Sequence, residues 1–336
     1  MNLSHIIHES KELSRVTEVS INRKMLVTPT YFPAVSSYGV KYSFHALVSL
    51  LIAYSYPRLL LSTYDLHFLK DEEKKRLLQD ISEYWKKGCF VFLDSGVYES
   101  SWKVNLDWTY DLYKASISQV DFDFYSNFDV LPYPKNKSEK FVDKTFQSIL
   151  ASYSLSNGLG FVPILHGLNP DQLVSVVAKF VKIHPHLCDI IAVAERDCGK
   201  GLVEKARTVI KIRRLLNDSN RRRILHILGC GNPISLILFS YYGADMFDSL
   251  DWIKCVIDRD RLAINDFSHL DLIDCDCSIC SGVKRDYTEK ALLHNLLFYQ
   301  DYMLQIQVLI RRNEIFEFIV EHIGKDLLKR IERSRT

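Results

Sequence analysis

Short runs of β-branched and large apolar residues recur along the chain. They alternate with longer stretches in which apolar positions return every three or four residues. The strand candidates are Met25–Thr30, Leu59–Thr63, Phe90–Asp94, Phe122–Asp129, Gly160–His166, Ile190–Ala194, Ile224–Leu228 and Asp245–Asp248. Between them lie helical patterns such as 66–87, 107–119, 137–153, 170–184 and 201–217. Asn169 before Pro170 reads as a helix start, with Asn capping and Pro at the first helical position. Strands alternating with helices predict a parallel sheet with crossover helices, and eight such units predict an α/β (β/α)₈ TIM barrel over residues 25–265. Residues 1–24 read as a polar helical preamble, and 266–336 as a separate C-terminal element ending in one or two amphipathic helices.

At 336 residues with 47% hydrophobic content the chain can bury a large core, and a net charge of only +2 means that any basic surface is local. The apolar window 44–61 carries His45, Pro57 and Arg58, so it predicts a buried helix and strand and not a membrane span. The first ten residues lack a basic segment followed by an apolar core, which predicts a cytoplasmic protein with no membrane partner. Of the eight cysteines, Cys89, Cys188, Cys198, Cys230 and Cys255 are scattered beside apolar runs, as reduced thiols would be. The other three form Cys275-x-Cys277-x-x-Cys280, and His294 follows in an apolar helical run. Three thiolates and an imidazole complete a tetrahedral set for Zn²⁺ with no open position, which predicts a structural and not a catalytic metal.

The C-terminal ends of the predicted strands carry Tyr64-Asp65, Asp94-Ser95-Gly96, Asp129, His166-Gly167, Glu195, Gly229-Cys230-Gly231 and Asp248-Ser249. Barrel enzymes take their catalytic groups from these ends. One Asp there is often just a helix cap. Several carboxylates at one mouth can split into an ionised nucleophile and a protonated acid, which suits cleavage of a glycosidic or N-glycosidic bond.

Five motifs then occur in order: Asp94-Ser-Gly-Val-Tyr98, Phe128-Asp-Val-Leu-Pro-Tyr-Pro134, Ile164-Leu-His-Gly167, His226-Ile-Leu-Gly-Cys-Gly-Asn-Pro233 and Gly243-Ala-Asp-Met-Phe-Asp-Ser249. With the Cys₃His pattern, they resemble the guanine transglycosylase superfamily over about residues 25–305. The resemblance implies a barrel with an inserted zinc element that exchanges a guanine base in a nucleic acid. It implies Asp248 as nucleophile, Asp94 as general acid/base and Asp129 as acceptor for the base N–H groups. Ser95, His166, Gly167, Ala194 and Glu195 fall where base contacts are expected. It also implies that the target base leaves its stack to reach the barrel mouth.

Several positions depart from the family pattern. His166 stands where an amide is usual, 192–195 lack the usual glycines, Val97 replaces a second glycine, and Ser249–Lys254 replaces a segment that reads the anticodon loop in bacterial tRNA enzymes. The chain as given stops at residue 336, short of the further RNA-binding domains of archaeal tRNA enzymes. These departures fall on the parts that choose the polynucleotide. In them the chain is most similar to the DNA-guanine transglycosylases of 7-deazaguanine DNA-modification systems, which implies DNA as substrate and a 7-deazaguanine such as preQ0 as incoming base, with a divergent tRNA-guanine transglycosylase and a non-catalytic paralogue that binds a catalytic partner as alternatives. A homodimer or a partner protein of a modification system is a further expectation by analogy. Trp252, Lys254, Arg259, Arg261, Lys284 and Arg285 are the expected nucleic-acid contacts, Trp252 by stacking. Trp102 and Trp108 are weaker stacking candidates, and the basic segments 211–214 and 221–223 weaker phosphate candidates.

Overall fold

The computed structural model describes residues 4–9, 13–131, 139–156, 160–219, 221 and 223–333. Pro132, Tyr133 and Pro134 of one motif, and Arg222 of one basic segment, lie outside the described residues.

The chain opens with strands and not with a helix. Strands β1 (Ser4–Glu9), β2 (Arg15–Ile21) and β3 (Lys24–Thr28) form an antiparallel sheet. The reason lies in Arg-Val-Thr-Glu-Val-Ser-Ile, whose β-branched residues suit a pleated surface better than a helix. Asn22 and Arg23 both adopt positive φ, as a two-residue hairpin turn requires, and so fix the register of Ile21 opposite Lys24. The predicted first barrel strand, Met25–Thr30, therefore belongs mostly to this sheet.

The barrel itself begins with β4 (Thr30–Val35) and continues through β5 (Arg58–Ser62), β6 (Phe90–Asp94), β7 (Phe124–Ser126), β8 (Phe161–Val162), β9 (Ile164–Leu165), β10 (Ile190–Ala194), β11 (Ile224–Leu228) and β12 (Met246–Ser249). Their spatial order is β8-β7-β6-β5-β4-β12-β11-β10-β9, all neighbours parallel. Pro163, lacking an N–H, splits one strand into β8 and β9, and its carbonyl accepts from the Ala192 amide to close the ring. The predicted eightfold α/β barrel is therefore present. Its helices wind between the strands, including Pro170–Ile183, where the Asn169 side chain accepts from the Gln172 amide.

Phe32, Phe92, Phe124, Ile190, Ile224 and Met246 fill the barrel interior, and Val19, Ile21 and Leu26 of the N-terminal sheet join that cluster from below. Arg15 of β2 reaches into the same floor and pairs with buried Asp245 at 2.9 Å, which Arg213 grips from the other side at 2.6 Å. Among the described residues the floor is thus plugged, which leaves the C-terminal mouth as the open end of the barrel.

This arrangement corrects three of the weaker phosphate candidates, whereas Lys211 and Arg214 remain exposed. Arg213 and Arg223 are fully buried, and Arg221 pairs with Asp189 at 2.6 Å. These guanidiniums hold the barrel floor together, which a linear run of positive charge does not reveal.

After β12 comes the hairpin β13 (Cys255–Asp258) and β14 (Ala263–Asp266), followed by the helix Tyr287–Arg312, which packs on β13, β4 and β2. The last two helices, Ile315–Ile323 and Lys325–Glu332, pack on the barrel helices Pro233–Tyr241 and Leu202–Asn217.

Candidate active site

A cavity of about 370 Å³ opens at the C-terminal mouth, and Asp94, Asp129, Asp248, His166, Ala194 and Glu195 all line it. Asp94 closes β6, and Asp248 is the third residue of β12, in register with Phe32 of β4. The turn after Asp94 needs glycine. Gly96 has φ +70°, and a Cβ there would meet the Tyr64 Cβ at 2.3 Å.

Each carboxylate has its own partner. The Ser126 hydroxyl (3.3 Å) and the Gly96 amide (3.2 Å) donate to Asp94. Burial, then the charges of Asp129 and Asp248, raise the Asp94 pKa to about 6 against the opposing amide bonds. The His226 Nε2–H donates to Asp248 Oδ1 at 2.9 Å, while His226 Nδ1 is buried with no partner. The imidazole thus holds one carboxylate oxygen from inside the barrel. His166 bridges Asp129 (Nε2, 2.9 Å) and Asp197 (Nδ1, 2.5 Å). Burial disfavours its cationic form, but the two carboxylates outweigh that and lift its pKa to about 10. Both His166 nitrogens are engaged with carboxylates, so it orients Asp129 and presents no free N–H of its own.

His226, Asp197 and Glu99 were not among the expected site residues. His226 is the lone polar residue within the apolar run Ile224–Leu228, which was the available signal. Nothing in the local sequence marks the other two.

Glu99 lines the cavity, 5% exposed, accepting from the Ser36 hydroxyl with its second oxygen unpartnered. Burial, then the charges of Asp94 and Asp65, push its pKa up to about 8. An acid whose folded pKa lies above its unfolded value supports the fold fully below the unfolded value. That support is lost as pH rises through the folded value. Glu99→Gln is therefore expected to melt higher than the parent, by a margin that widens from pH 5 to pH 8.5 and reaches several degrees. Thermal melts across that range check this; parallel curves would contradict it.

Other expected contacts fall elsewhere. Trp252 is fully buried with its indole N–H on the Ala34 carbonyl, so it packs beneath the mouth and offers no face to a base. Trp108 is likewise buried and donates to the Ser95 carbonyl, whereas Trp102 is 52% exposed. Ser95 is buried behind the cavity, its Oγ accepting from the Val97 amide. Gly167 permits close packing on the helix Pro170–Ile183, where a Cβ would meet the Leu173 amide at 2.4 Å. Lys254 lines the cavity. Arg259 pairs with Asp301 at 2.9 Å, Arg261 and Lys284 are exposed, and Arg285 bonds the Tyr54 hydroxyl at 3.0 Å. Only Lys254 of that group belongs to the cavity wall.

Cys275, Cys277, Cys280 and His294 come together, the three sulfurs 3.6, 3.6 and 3.4 Å from His294 Nδ1. These separations match the edges of a tetrahedron with metal–ligand bonds of about 2.0–2.3 Å. His294 Nε2 donates to the Ile257 carbonyl at 2.7 Å, which leaves the Nδ1 lone pair facing the thiols. The group could hold a metal ion. No helix among the described residues is long and apolar enough to cross a membrane.

Comparison with known proteins places this geometry. The chain is 22% identical to the tRNA-guanine(15) transglycosylase of Methanocaldococcus jannaschii over 93% of its own length and 50% of that protein. It is 21% identical to the protein of the same name from Nanoarchaeum equitans, over 95% of its length and 77% of the relative. The chain thus spans only half of the first of these relatives. The sequence profile described as queuine tRNA-ribosyltransferase matches residues 10–326, from the N-terminal sheet through the barrel and the Cys₃His group. With so much of its length matched, the chain belongs to the queuine tRNA-ribosyltransferase family.

Proposed function

We propose that this protein exchanges a guanine base in a polynucleotide for another base, a 7-deazaguanine, through a glycosyl intermediate on Asp248. The observation that carries the reading is the meeting of Asp94, Asp129 and Asp248 in one cavity whose other mouth is plugged. Asp248 Oδ2, the oxygen left free by His226, attacks C1′ as the bond from C1′ to the base breaks. Asp94 gives the departing guanine its proton, and a pKa near 6 suits a group that must give and take protons near neutrality. The incoming base then returns a proton to Asp94 as its nitrogen attacks C1′ and releases Asp248. Asp129, oriented by His166 and by the Val130 amide (2.7 Å), accepts from the base N–H groups through its remaining lone pairs. Ala194 and Glu195 border the same space, Glu195 being tied to Lys205 at 3.1 Å. We assign zinc to the Cys₃His group, where it would clamp the segment Cys275–Cys280 to the helix bearing His294 and take no part in the chemistry.

For the polynucleotide we favour DNA. Support comes from the segment after Asp248, which folds into the short helix Asp251–Lys254 with Trp252 buried beneath it and so leaves no open reading loop. The names of the archaeal relatives favour the second reading, tRNA. Incubation with guanine-labelled DNA and, separately, labelled tRNA, each with added 7-deazaguanine bases, separates them. Release from DNA is the expected result, and release from tRNA alone would replace DNA by tRNA. Release from neither, with partner proteins supplied, would favour a non-catalytic paralogue.

A further inference from the structure

The rim of the cavity carries a cluster that the base-exchange chemistry leaves unused. Tyr38 packs edge-on against Tyr98 (ring centroids 4.6 Å) and against Trp102 (5.4 Å). A cation sits over each tyrosine ring: Lys254 Nζ is 4.7 Å from the Tyr38 centroid, and the Arg196 guanidinium is 4.5 Å from that of Tyr98. Tyr38, Tyr98, Arg196 and Lys254 all line the cavity, and Trp102 continues the cluster onto the surface. There Val104 (78% exposed) and Leu106 (89%) extend the apolar patch beside Lys103, whose partner is Asp65 at 3.3 Å. Aromatic faces interleaved with cations match the alternation of base and phosphate along a single strand.

We propose that this rim seats the single-stranded segment flanking the extruded nucleotide, with Trp102 stacking on a neighbouring base and Lys254 and Arg196 facing its phosphates. The assignment rests on the polynucleotide reading above and specifies the surface that serves it. It also replaces Trp252, which burial removes from contact. Charge complementarity and continuity with the cavity favour a nucleic acid here over a protein. A protein partner would use Trp102, Val104 and Leu106 but would have no need of cations lying on the ring faces inside the mouth.

The tryptophans provide the test. Trp108 and Trp252 are buried and Trp85 is half-buried, so Trp102 is the exposed indole among them. Titrating the full chain with guanine-containing single-stranded DNA and RNA oligonucleotides should quench a large part of the solvent-accessible tryptophan emission. Trp102→Ala should remove that quenching and weaken binding about tenfold, and Trp102→Phe should recover affinity relative to Ala while staying dark. Lys254→Gln should lower the slope of log affinity against log salt by about 0.7. Absence of oligonucleotide binding, or affinity unaltered by Trp102→Ala, would overturn the proposal. So would a change of oligomeric state in that variant with oligonucleotide affinity intact, which would assign the patch to a protein contact. If labelled guanine is still released while these tests fail, the cavity reading stands and only the rim assignment falls.

Discussion

Asp248→Asn is expected to lower base exchange by a factor of about 10⁴ or more and to abolish any denaturant-stable link between protein and polynucleotide. The substitution keeps the shape of the side chain in β12. Its amide oxygen can still accept from His226, whose imidazole otherwise sits buried against Phe92 with ring centroids 5.5 Å apart. The fold should therefore persist, with a melting temperature within a few degrees of the parent. What disappears is an oxygen with the negative charge needed to bond to C1′ as the base leaves. Both steps depend on that bond, so neither release nor insertion should proceed. Gel analysis of protein trapped on labelled polynucleotide, beside a guanine-release assay, gives the two readouts. An adduct that survives in the Asn variant would sink the nucleophile assignment.

The second large effect concerns the Cys₃His group. Cys280→Ser, or exhaustive chelation, is expected to lower the melting temperature by ten degrees or more and to cost activity although the cavity itself is untouched. Metal bound at such sites contributes directly to folding, on the order of 10 kcal/mol in small zinc peptides. The helix that carries His294 also carries Asn295, whose amide donates to the carbonyls of Trp252 (3.0 Å) and Cys255 (2.7 Å) and accepts from the Ile257 amide (3.1 Å). One turn further, Tyr299 stacks on Tyr31 at 3.8 Å and donates to the Gly231 carbonyl. Losing a metal held there would therefore loosen the backing of the segment that follows Asp248. Zinc content, melting temperature and activity should fall together, and for the chelated parent they should return together on adding Zn²⁺. A metal-free parent protein with its melting temperature unchanged would contradict the assignment.

Where the chain alternates apolar strands with amphipathic helices, the sequence foretells the architecture closely. Phe90–Asp94, Ile190–Ala194 and Ile224–Leu228 fall where the pattern puts them. The N-terminal sheet escapes because its register depends on two positive-φ residues, Asn22 and Arg23, that no glycine advertises. In the site, the three aspartates are legible because barrels present their strand ends. Their partners are not: His226 reaches Asp248 across 22 residues of chain and His166 reaches Asp197 across 31, so only the closed barrel brings them together. The same blindness misplaces Trp252, four residues beyond Asp248 in sequence yet turned beneath β4 to bond the Ala34 carbonyl.

The pairing of β12 with β4 bears on how this protein comes into being. Asp248 lies beside Phe32, and the Tyr31 hydroxyl bonds the Ser249 carbonyl across 218 residues of chain. Arg15 reaches Asp245 across 230. During synthesis β4 must wait, with one edge unpaired, while the 218 residues from Tyr31 to Ser249 are made, because its second neighbour does not yet exist. Contacts so distant in sequence are slow to form and leave an intermediate prone to wrong partners. The strand that carries Asp248 is also the last strand of the ring to be made. A half-made chain can therefore hold Asp94 and Asp129, but the third carboxylate joins them only when the ring is complete.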